Sequence, residues 1–566
     1  MAERYVLRPL ARARYLALSL VIGCALSACT GSIEPDSDDP SSPVGGGAAT
    51  GGSSNPTGGG GDGASSGGGT GAVGSEPGDP RITQRIWRLS PEQLNKEIEQ
   101  LFGAGAPLIN VPETASENGI VNIADNAVID TGNASIFADG IRAVANWVVE
   151  RGDSATRCMP YGNAACVDAL LGWLPREAFR RPVTPAELNA LRELFDGLDD
   201  SYEYDYAFAG IVRVILLSPE FLYRTELNTT LEPFEIANLL AFAITDEAPD
   251  QELIAAADGD DLATPDAREA QARRLMAKSE KIWQRFFWEW LHMSTLYSQG
   301  AEVGLPDQLV DQMEEEYRTF IREVVVTDRG SLRDVLSAPY TWAQPELAEH
   351  YGADHPGNGL QRITLDPMQR GGILTQGAWL VSHGKDGRDN VVRRGMNIFK
   401  DAMCNNNLKP PAGVDVQAEL AKLVGPNATV REVVDTRGSA AACGGCHQLP
   451  DPMGMVFETF KSDGSWQETY PNGDPVDSNV TVTGLGDFDN ARLLSEKLTD
   501  DASFQGCFVQ RFTHFIAGVD LGSPAMVAWS EQTRAQLVAT DGSLEEMLVA
   551  IVRHPAFIER RTEVAP

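Results

Sequence analysis

The sequence predicts a mainly α-helical protein of several modules, with one loop-rich segment and a minor β-hairpin. Apolar residues recur at helical spacing along most of the chain, and helix-capping signals precede several of these runs. After about residue 355 this periodicity weakens and Gly, Pro and Asn become frequent, which indicates the loop-rich segment. The chain has 566 residues, which is enough for three to five domains.

Two segments in the N-terminal part carry helix-start signals. In RLSPEQLNKEIEQLFG, Ser90 is the predicted N-cap, Pro91 takes the first helical position and Gln93 completes a capping box. Gly103 ends this predicted helix. TPAELNALRELFDGL repeats the pattern with Thr184 as its N-cap. Both segments therefore predict amphipathic helices with defined starts.

Later segments extend the helical prediction towards the C-terminus. EKIWQRFFWEWLHMSTL places Trp283, Phe287 and Trp290 at helical spacing, and such an aromatic stripe predicts core packing. GIVRVILLSPEFLYRTE and VAIVRHPAFIER share an apolar helix followed by Pro-x-Phe and an Arg, which predicts a repeated helix-turn unit. TYPNGDPVDSNVTVTGLGDF combines turn residues with β-branched residues and predicts the hairpin.

Residues 1–29 predict an export signal that takes no part in the fold. Arginines precede an apolar run that is too short to span a bilayer. The run ends in LSAC, which resembles the lipobox of bacterial lipoproteins. In that class the cysteine, here Cys29, becomes the mature N-terminus and carries acyl chains. By the same resemblance Thr30, which is not Asp, implies an outer-membrane lipoprotein of the cell envelope, periplasmic or surface-exposed.

Residues 30–80 predict a flexible tether between this anchor and the folded part. Gly, Ser, Pro and Asp dominate the segment, and few of its residues could enter a core. A random coil of roughly 50 residues spans about 40 Å. We therefore expect a flexible linker to hold the folded part at a distance from the membrane.

The formal net charge of −34 limits the classes of partner. Binding to nucleic acid is disfavoured, because contacts with phosphates need a cationic face. Docking of the folded part on anionic lipid is disfavoured for the same reason. The expected contact with a membrane therefore runs through the lipid anchor.

Six cysteines remain after the signal peptide and the lipidation site. Export implies an oxidising compartment, in which disulfides are stable. Cys158 and Cys166 flank a short loop and are predicted to pair. The even number leaves two arrangements open for the other four. Either Cys404 pairs with Cys507, or each of these two bonds one cysteine of the CGGCH segment.

CGGCHQLPDPMG, residues 443–454, has the Cys-x-x-Cys-His spacing of a c-type haem attachment site. In this interpretation Cys443 and Cys446 bond the two vinyl groups, and His447 binds the iron from one face. The short spacing lets one helical turn present all three groups to one edge of the porphyrin. The predicted cofactor is therefore haem c.

The sequence leaves the sixth iron ligand open. Met455 is the residue that we include in the predicted site, and Met453, Met526 and His383 are alternatives. A methionine ligand would raise the reduction potential. A five-coordinate iron is a further alternative.

Two other interpretations of the CxxCH segment compete with haem. Cys443 and Cys446 could form a disulfide, with His447 as a surface residue. A zinc site would need a fourth ligand, for which Cys404 is the candidate. Downstream, Asp451 and Glu458 are candidates to bond loop amides, or a haem propionate through a donor.

These signatures, taken in order, resemble a family of exported bacterial proteins that are abundant in planctomycetes and myxobacteria. Its members have five consecutive modules of unknown function with a cytochrome-c-like motif. The resemblance covers about residues 86–562 and rests on AFRRPVTPAELNALRELF, LLSPEFLYRTE, RRLMAKSEKIWQRFFWEWLHMSTL, QRGGILTQGAWLVSHGKDGRDNVVRRGMNIFKDAMCNNNLKPP and CGGCHQLPDPMGMVFETFKSDGSW. LLAFAITDEAPD and GKDGRDNVVRRG depart from the family pattern. The family implies no established activity.

The sequence thus predicts a cell-envelope lipoprotein with a c-type haem site, acting in electron transfer with a redox protein partner. The competing prediction is a non-catalytic surface scaffold, stapled by disulfides, that binds a partner or a polysaccharide. The predicted regions are the signal and lipobox at 1–29, the linker at 30–80, helical N-terminal modules at 81–231, a helical middle module at 232–365, the cytochrome-c-like CxxCH module at 366–482 and a helical C-terminal module at 483–566.

Overall fold

The computed structural model describes residues 81–112, 116, 119–121, 124, 127–385, 389–405, 408, 428–440, 443–519 and 521–562. They belong to one compact unit, Gly74–Pro566. The predicted signal at 1–29 with Cys29, and the predicted linker at 30–80, lie outside the described residues. Within them the fold is mainly α-helical with small two-stranded sheets, which confirms the predicted class. None of the described helices is long and apolar enough to cross a membrane.

The N-terminal region packs around its own apolar core, formed mostly by residues between Leu89 and Leu222. Both helix starts are confirmed, because Ser90 and Thr184 each cap a helix in a complete capping box. The elements are strands β1 (Ile82–Thr83) and β2 (Arg85–Arg88), helices α1 (Pro91–Phe102), α2 (Ala134–Arg151), α3 (Asp153–Thr156), α4 (Ala164–Phe179), α5 (Pro185–Asp199), α6 (Tyr204–Leu216) and α7 (Pro219–Leu222), and strand β3 (Tyr223–Glu226).

The middle region supplies the aromatic stripe of the second, larger core. Trp283, Phe287 and Trp290 are at most 1% exposed, which confirms their predicted burial. The elements are α8 (Pro233–Thr245), α9 (Gln251–Asp258), α10 (Pro265–Leu275), α11 (Glu280–Trp290), α12 (Leu296–Glu302), α13 (Asp307–Ile321), a π-helical segment (Arg322–Thr327), α14 (Leu332–Ser337), β4 (Tyr340–Ala343), α15 (Pro345–Tyr351) and β5 (Gln361–Thr364).

The region that contains the CxxCH segment has shorter helices. Its predicted hairpin is confirmed, because β6 and β7 pair antiparallel from Val480 opposite Phe488 to Val482 opposite Gly486. The elements are α16 (Gly377–Ser382), α17 (Asp389–Met396), a π-helical segment (Asn397–Ala402), α18 (Val430–Ser439), α19 (Gly444–His447), α20 (Pro450–Met455), β6 (Val480–Val482) and β7 (Gly486–Phe488).

The C-terminal region packs into the core of the middle region. The rings of Trp283 and Phe512 stack with centroids 4.4 Å apart and an interplanar angle of 6°. The Arg268 guanidinium donates to the carbonyl of Val552 over 2.8 Å. The two regions therefore share one core. The elements are α21 (Ala491–Leu498), α22 (Ala502–Ala517), α23 (Pro524–Ala539), α24 (Leu544–Arg553) and β8 (Arg560–Arg561).

The first and last strands close the described chain. β1 pairs parallel with β8, with Ile82 opposite Arg560. Behind this pair, the buried Glu226 carboxylate accepts from Arg85 Nε over 3.0 Å and from Arg560 Nε over 2.7 Å. These two guanidiniums hold the pKa of Glu226 at about 2, against the effect of burial. The ion triad thus fastens the C-terminal segment to the N-terminal region.

Candidate functional site

The CxxCH segment forms one helical turn. The amide nitrogens of Cys446 and His447 donate to the carbonyl of Cys443 over 3.0 and 3.1 Å, so α19 begins directly after Cys443. Gly444 allows this turn to lie against the end of α18, because a Cβ at Gly444 would be 2.6 Å from the carbonyl oxygen of Gly438. The turn therefore presents both cysteines and the histidine from three neighbouring positions on one short helix.

His447 is oriented by a buried carboxylate. Its Nδ1 lies 3.0 Å from Oδ1 of Asp451, four residues later at the start of α20. Asp451 is fully buried, and His447 keeps a side-chain exposure of 17%. A carboxylate oxygen can only accept, so Nδ1 carries the proton and donates it to Asp451. Nε2 is left with its lone pair, which is the atom a metal would bind.

Arg437 from α18 balances the charge of Asp451. Its Nε donates to Asp451 Oδ2 over 2.6 Å, and its Nη2 lies 2.5 Å from the same oxygen. Arg437 is 4% exposed, so the pair is a buried ion pair with one hydrogen bond, from Nε, in addition to the charge attraction. Asp451 thus holds His447 with one oxygen and Arg437 with the other. The described hydrogen bonds of Asp451 go to these two side chains, whereas the sequence suggested loop amides as its partners.

Two glycines let α17 and α20 touch backbone to backbone. A Cβ at Gly395 would lie 2.1 Å from the carbonyl oxygen of Pro450, and a Cβ at Gly454 would lie 1.8 Å from that of Val391. No side chain fits at either position. This contact fixes α20, and with it Asp451, relative to the rest of the region.

The candidates for the sixth ligand lie in different surroundings. Met455 is fully buried in a small apolar cluster with Val391 and Val434, one helical turn after Asp451. Met453 belongs to the large core. Both methionines therefore pack among apolar side chains, and the structure leaves the sixth ligand open between them and the two candidates from other elements.

Those two candidates each have a polar partner already. The sulfur of Met526, in α23, accepts from the hydroxyl of Ser530 over 3.2 Å. His383 Nδ1 lies 2.9 Å from the carbonyl of Trp379, and burial lowers the pKa of His383 to about 4. His383 is therefore a neutral imidazole over the ordinary pH range, with Nε2 as its ligand atom.

Glu458 follows the motif in a buried position. It is 5% exposed, and burial raises its pKa to about 7 against the opposing pull of Arg394 and a hydrogen bond from Tyr470. Arg394 itself is fully buried and donates to four carbonyl groups, those of Phe457 and Phe460 from Nη1 and those of Leu380 and Lys461 from Nη2. Arg394 therefore fixes the path of the chain that follows α20, and its positive charge attracts the Glu458 carboxylate.

Four cysteines form two disulfides. Cys158 bonds Cys166, and Cys404 bonds Cys507, each with Cα atoms 5.4 Å apart. Neither bridge uses Cys443, which is buried, or Cys446, which is half-buried. The alternative in which Cys404 and Cys507 bond the motif cysteines is therefore wrong, and so is Cys404 as a zinc ligand, because its sulfur is already bonded.

The side chains on the His447 face fit a covalently attached haem. Two cysteines outside the disulfides precede an imidazole whose Nδ1 is already committed to a carboxylate, which is the donor set that a c-type haem requires. Cys443 and Cys446 would hold the vinyl carbons and His447 the iron. Among the described residues, no group of three or more His, Cys, Asp or Glu side chains is arranged to hold a bare metal ion.

Sequence reasoning missed Arg437 and the glycine contact. Arg437 meets Asp451 across 14 positions of the sequence, and Gly395 meets α20 across more than 50, so no local pattern marks either residue. The four-residue spacing of His447 and Asp451 was readable, but Pro450 and Pro452 indicated a loop where the structure has a short helix.

Three family models match the chain. They are described as proteins of unknown function, DUF1595 over residues 166–226, DUF1592 over residues 231–353 and DUF1588 over residues 370–470. The chain belongs to this multi-module family. The recognition made from the sequence motifs is thereby confirmed. The DUF1588 module contains α17, the CxxCH turn and Asp451, so the whole candidate site lies in one module of the family. No curated protein and no solved structure matches the chain.

Proposed function

We propose that this family member carries one haem c at Cys443, Cys446 and His447 and transfers electrons at the cell envelope. The single observation that carries the proposal is the Asp451–His447 bond beside two cysteines that the disulfides do not use. A surface or capping histidine does not need a fully buried carboxylate to orient it. A metal-binding histidine regularly has one.

Each residue of the site has a defined task in this proposal. The Cys443 and Cys446 sulfurs each bond one vinyl carbon, which fixes the ring at the turn. His447 binds through Nε2 while Asp451 holds Nδ1. The haem would supply a one-electron couple, and this chain positions it at the half-exposed turn, where a redox protein partner can approach.

The proposed location follows from the N-terminal segment. Acylation at Cys29 would anchor the protein in the outer membrane, and residues 30–80 would let the haem module reach a partner within about 40 Å of the surface. Metabolic labelling with a radioactive fatty acid tests this: label enters the wild type and is lost in Cys29→Ala. Equal labelling of both proteins would contradict the anchor.

The disulfide-stapled scaffold is the weaker alternative. It needs a third bridge between Cys443 and Cys446, and both residues lie outside the two bridges described. The electron-transfer proposal accounts for these cysteines and for Asp451, whereas the scaffold accounts for neither.

The deciding experiment is expression in cells that attach haem to CxxCH sites. We expect a reduced spectrum with a sharp α-band, and haem that stays on the protein after acid-acetone extraction. Cys443→Ala with Cys446→Ala should lose the bound haem, whereas Cys158→Ala with Cys166→Ala should keep it. A colourless wild type whose CxxCH peptide is unmodified by mass spectrometry would refute the proposal.

A further inference from the structure

Asp451 makes two bonds that a structural role alone does not require together. One oxygen receives the Nδ1 proton of His447 and the other is held by Arg437. A carboxylate that served only to close the loop would satisfy backbone amides, as Asp463 does with the amide of Ser465. In Asp451, each of the two oxygens instead accepts a hydrogen bond from a side chain, and the carboxylate is fully buried.

The burial gives this arrangement a chemical effect. Away from water, a hydrogen bond to a charged acceptor is strong and its geometry is fixed. A neutral imidazole in water prefers its proton on Nε2, the atom that a metal needs free. The Asp451 carboxylate reverses that preference by attracting the proton to Nδ1.

We propose that Asp451 is the positioning residue of the site, which locks the tautomer of His447 and strengthens its donation to iron, so that the site is poised at low reduction potential. This inference rests on the proposed haem attachment for its redox part, but its tautomer part does not. Pulling the Nδ1 proton towards a carboxylate gives the ring partial imidazolate character, and a more basic ligand favours the oxidised iron.

Arg437 limits the size of this effect. Its guanidinium shares the charge of Asp451, so the carboxylate attracts the histidine proton less strongly than an unpaired one would. Loss of Arg437 alone should therefore lower the potential further, whereas loss of Asp451 should raise it. The reduction potential should thus shift in opposite directions when either residue of this one ion pair is replaced. General disruption of the site would not produce shifts of opposite sign.

The direction in which Asp451 shifts the reduction potential indicates the class of redox partner. A carboxylate-anchored site that holds a low potential gives up its electron readily, so the chain would reduce acceptors of higher potential and take electrons from a stronger reductant. A methionine as sixth ligand would work in the opposite direction.

The first test needs no haem. The apo-protein, made in cells without haem attachment and labelled with ¹⁵N-histidine, is examined by NMR at mildly alkaline pH, where an imidazole is neutral. His447, assigned with His447→Gln, should show the Nδ1-protonated tautomer. In Asp451→Asn the Nε2-protonated tautomer should gain population, because an amide can also donate to Nδ1. A wild-type ring protonated on Nε2 would overturn the inference.

The second test is the midpoint potential of the haem-loaded protein. Asp451→Asn should shift it upwards, and Asp435→Asn, which removes an exposed carboxylate from α18, the helix that carries Arg437, should leave it near the wild-type value. An unchanged potential in Asp451→Asn would overturn the tuning while leaving haem attachment standing. Failure of the wild type to bind haem would refute the proposed function, and the NMR result would still decide the role of Asp451.

A double variant guards against misfolding. Asp451→Asn leaves Arg437 buried without its partner, which can destabilise the region. Asp451→Asn with Arg437→Gln removes both charges, so the fold keeps neutral hydrogen-bonding groups at both positions. If far-UV circular dichroism shows that only this double variant folds, the tautomer and the potential are measured on it, with the same expected directions as for Asp451→Asn.

Discussion

A Cβ on Gly454 would lie 1.8 Å from the carbonyl oxygen of Val391. The helices α17 and α20 therefore meet at a distance that only glycine permits. Gly454→Ala should push α20 away and reduce stability by roughly 1–3 kcal/mol or more, because overpacking against backbone cannot be relieved by a rotamer change. Thermal unfolding measures the loss.

Gly445→Ala is the matched control for that change. Gly445 lies within the CxxCH turn, and a Cβ there meets nothing within 4 Å. Its stability should equal or slightly exceed that of the wild type, because alanine favours a helix. Equal stability of Gly454→Ala and Gly445→Ala would contradict the packing argument.

Arg394→Met should destabilise the segment after α20. Methionine keeps much of the volume but removes one donor from each of four carbonyl groups. The carbonyls of Phe457 and Lys461 keep a backbone amide donor, and each carbonyl left unsatisfied costs about 1–3 kcal/mol before relaxation. Arg393→Met, at the exposed neighbouring position, is the control, because Arg393 donates to only one carbonyl group, that of Gly384, and to the side chain of Gln299. Denaturant unfolding of both variants compares them, and similar midpoints would show that the carbonyl contacts contribute little.

Ionisation of Glu316 should contribute to the pH dependence of the free energy of unfolding. This carboxyl is fully buried beside the hydroxyls of Tyr351 and Thr341, and burial raises its pKa to about 7. Because the folded pKa lies above the unfolded value, the folded state holds the proton longer. Its contribution is fully present below about pH 4.5 and is lost as the pH rises through about 7.

Glu316→Gln should remove this contribution to the slope of the free energy of unfolding against pH, between about pH 4.5 and 7. Glutamine resembles the protonated carboxyl but does not ionise, so the variant should gain stability relative to the wild type towards pH 7. Glu349→Gln, at an exposed position on α15, should leave the slope unchanged. Chemical denaturation across the pH range measures it, and parallel wild-type and Glu316→Gln profiles would disprove the assignment. Glu458 adds to the slope with the same sign and stays in all of these proteins.

The Cys404–Cys507 bridge should stabilise the fold more than the Cys158–Cys166 bridge. It closes a loop of 103 positions against 8, and the entropy that a bridge removes from the unfolded chain grows with loop length. Cys404→Ser with Cys507→Ser should lose about 3–5 kcal/mol. The corresponding double variant of the short loop should lose less. A larger loss for the short loop would contradict this prediction.

The helical architecture was predictable because its signals are local. A cap, an apolar stripe and a terminating glycine all lie within one helix, as in α1 and α5, and the aromatic stripe of α11 has a period that only a core explains. The hairpin β6–β7 was predictable for the same reason. These patterns need no knowledge of the rest of the chain.

The candidate site was only half predictable. Cys443, Cys446 and His447 form a local pattern, but the residue that orients the histidine does so from a helix whose proline-rich sequence looks like a loop. Arg437 reaches Asp451 through tertiary packing, which periodicity cannot report. The pairing of Cys404 with Cys507 was one of two arrangements that the number of cysteines allowed, and only the fold separates them.

The parallel pairing of β1 with β8 sets the path of mechanical load through the protein. A pull on the chain at Arg81 acts first on Ile82 and Thr83, which lie beside Arg560 and Arg561, and then on the Glu226 triad behind them. Parallel strands pulled along their length are loaded in shear, so their hydrogen bonds resist together. With the proposed N-terminal anchor, drag on the protein would therefore act first where the two ends of the described chain meet.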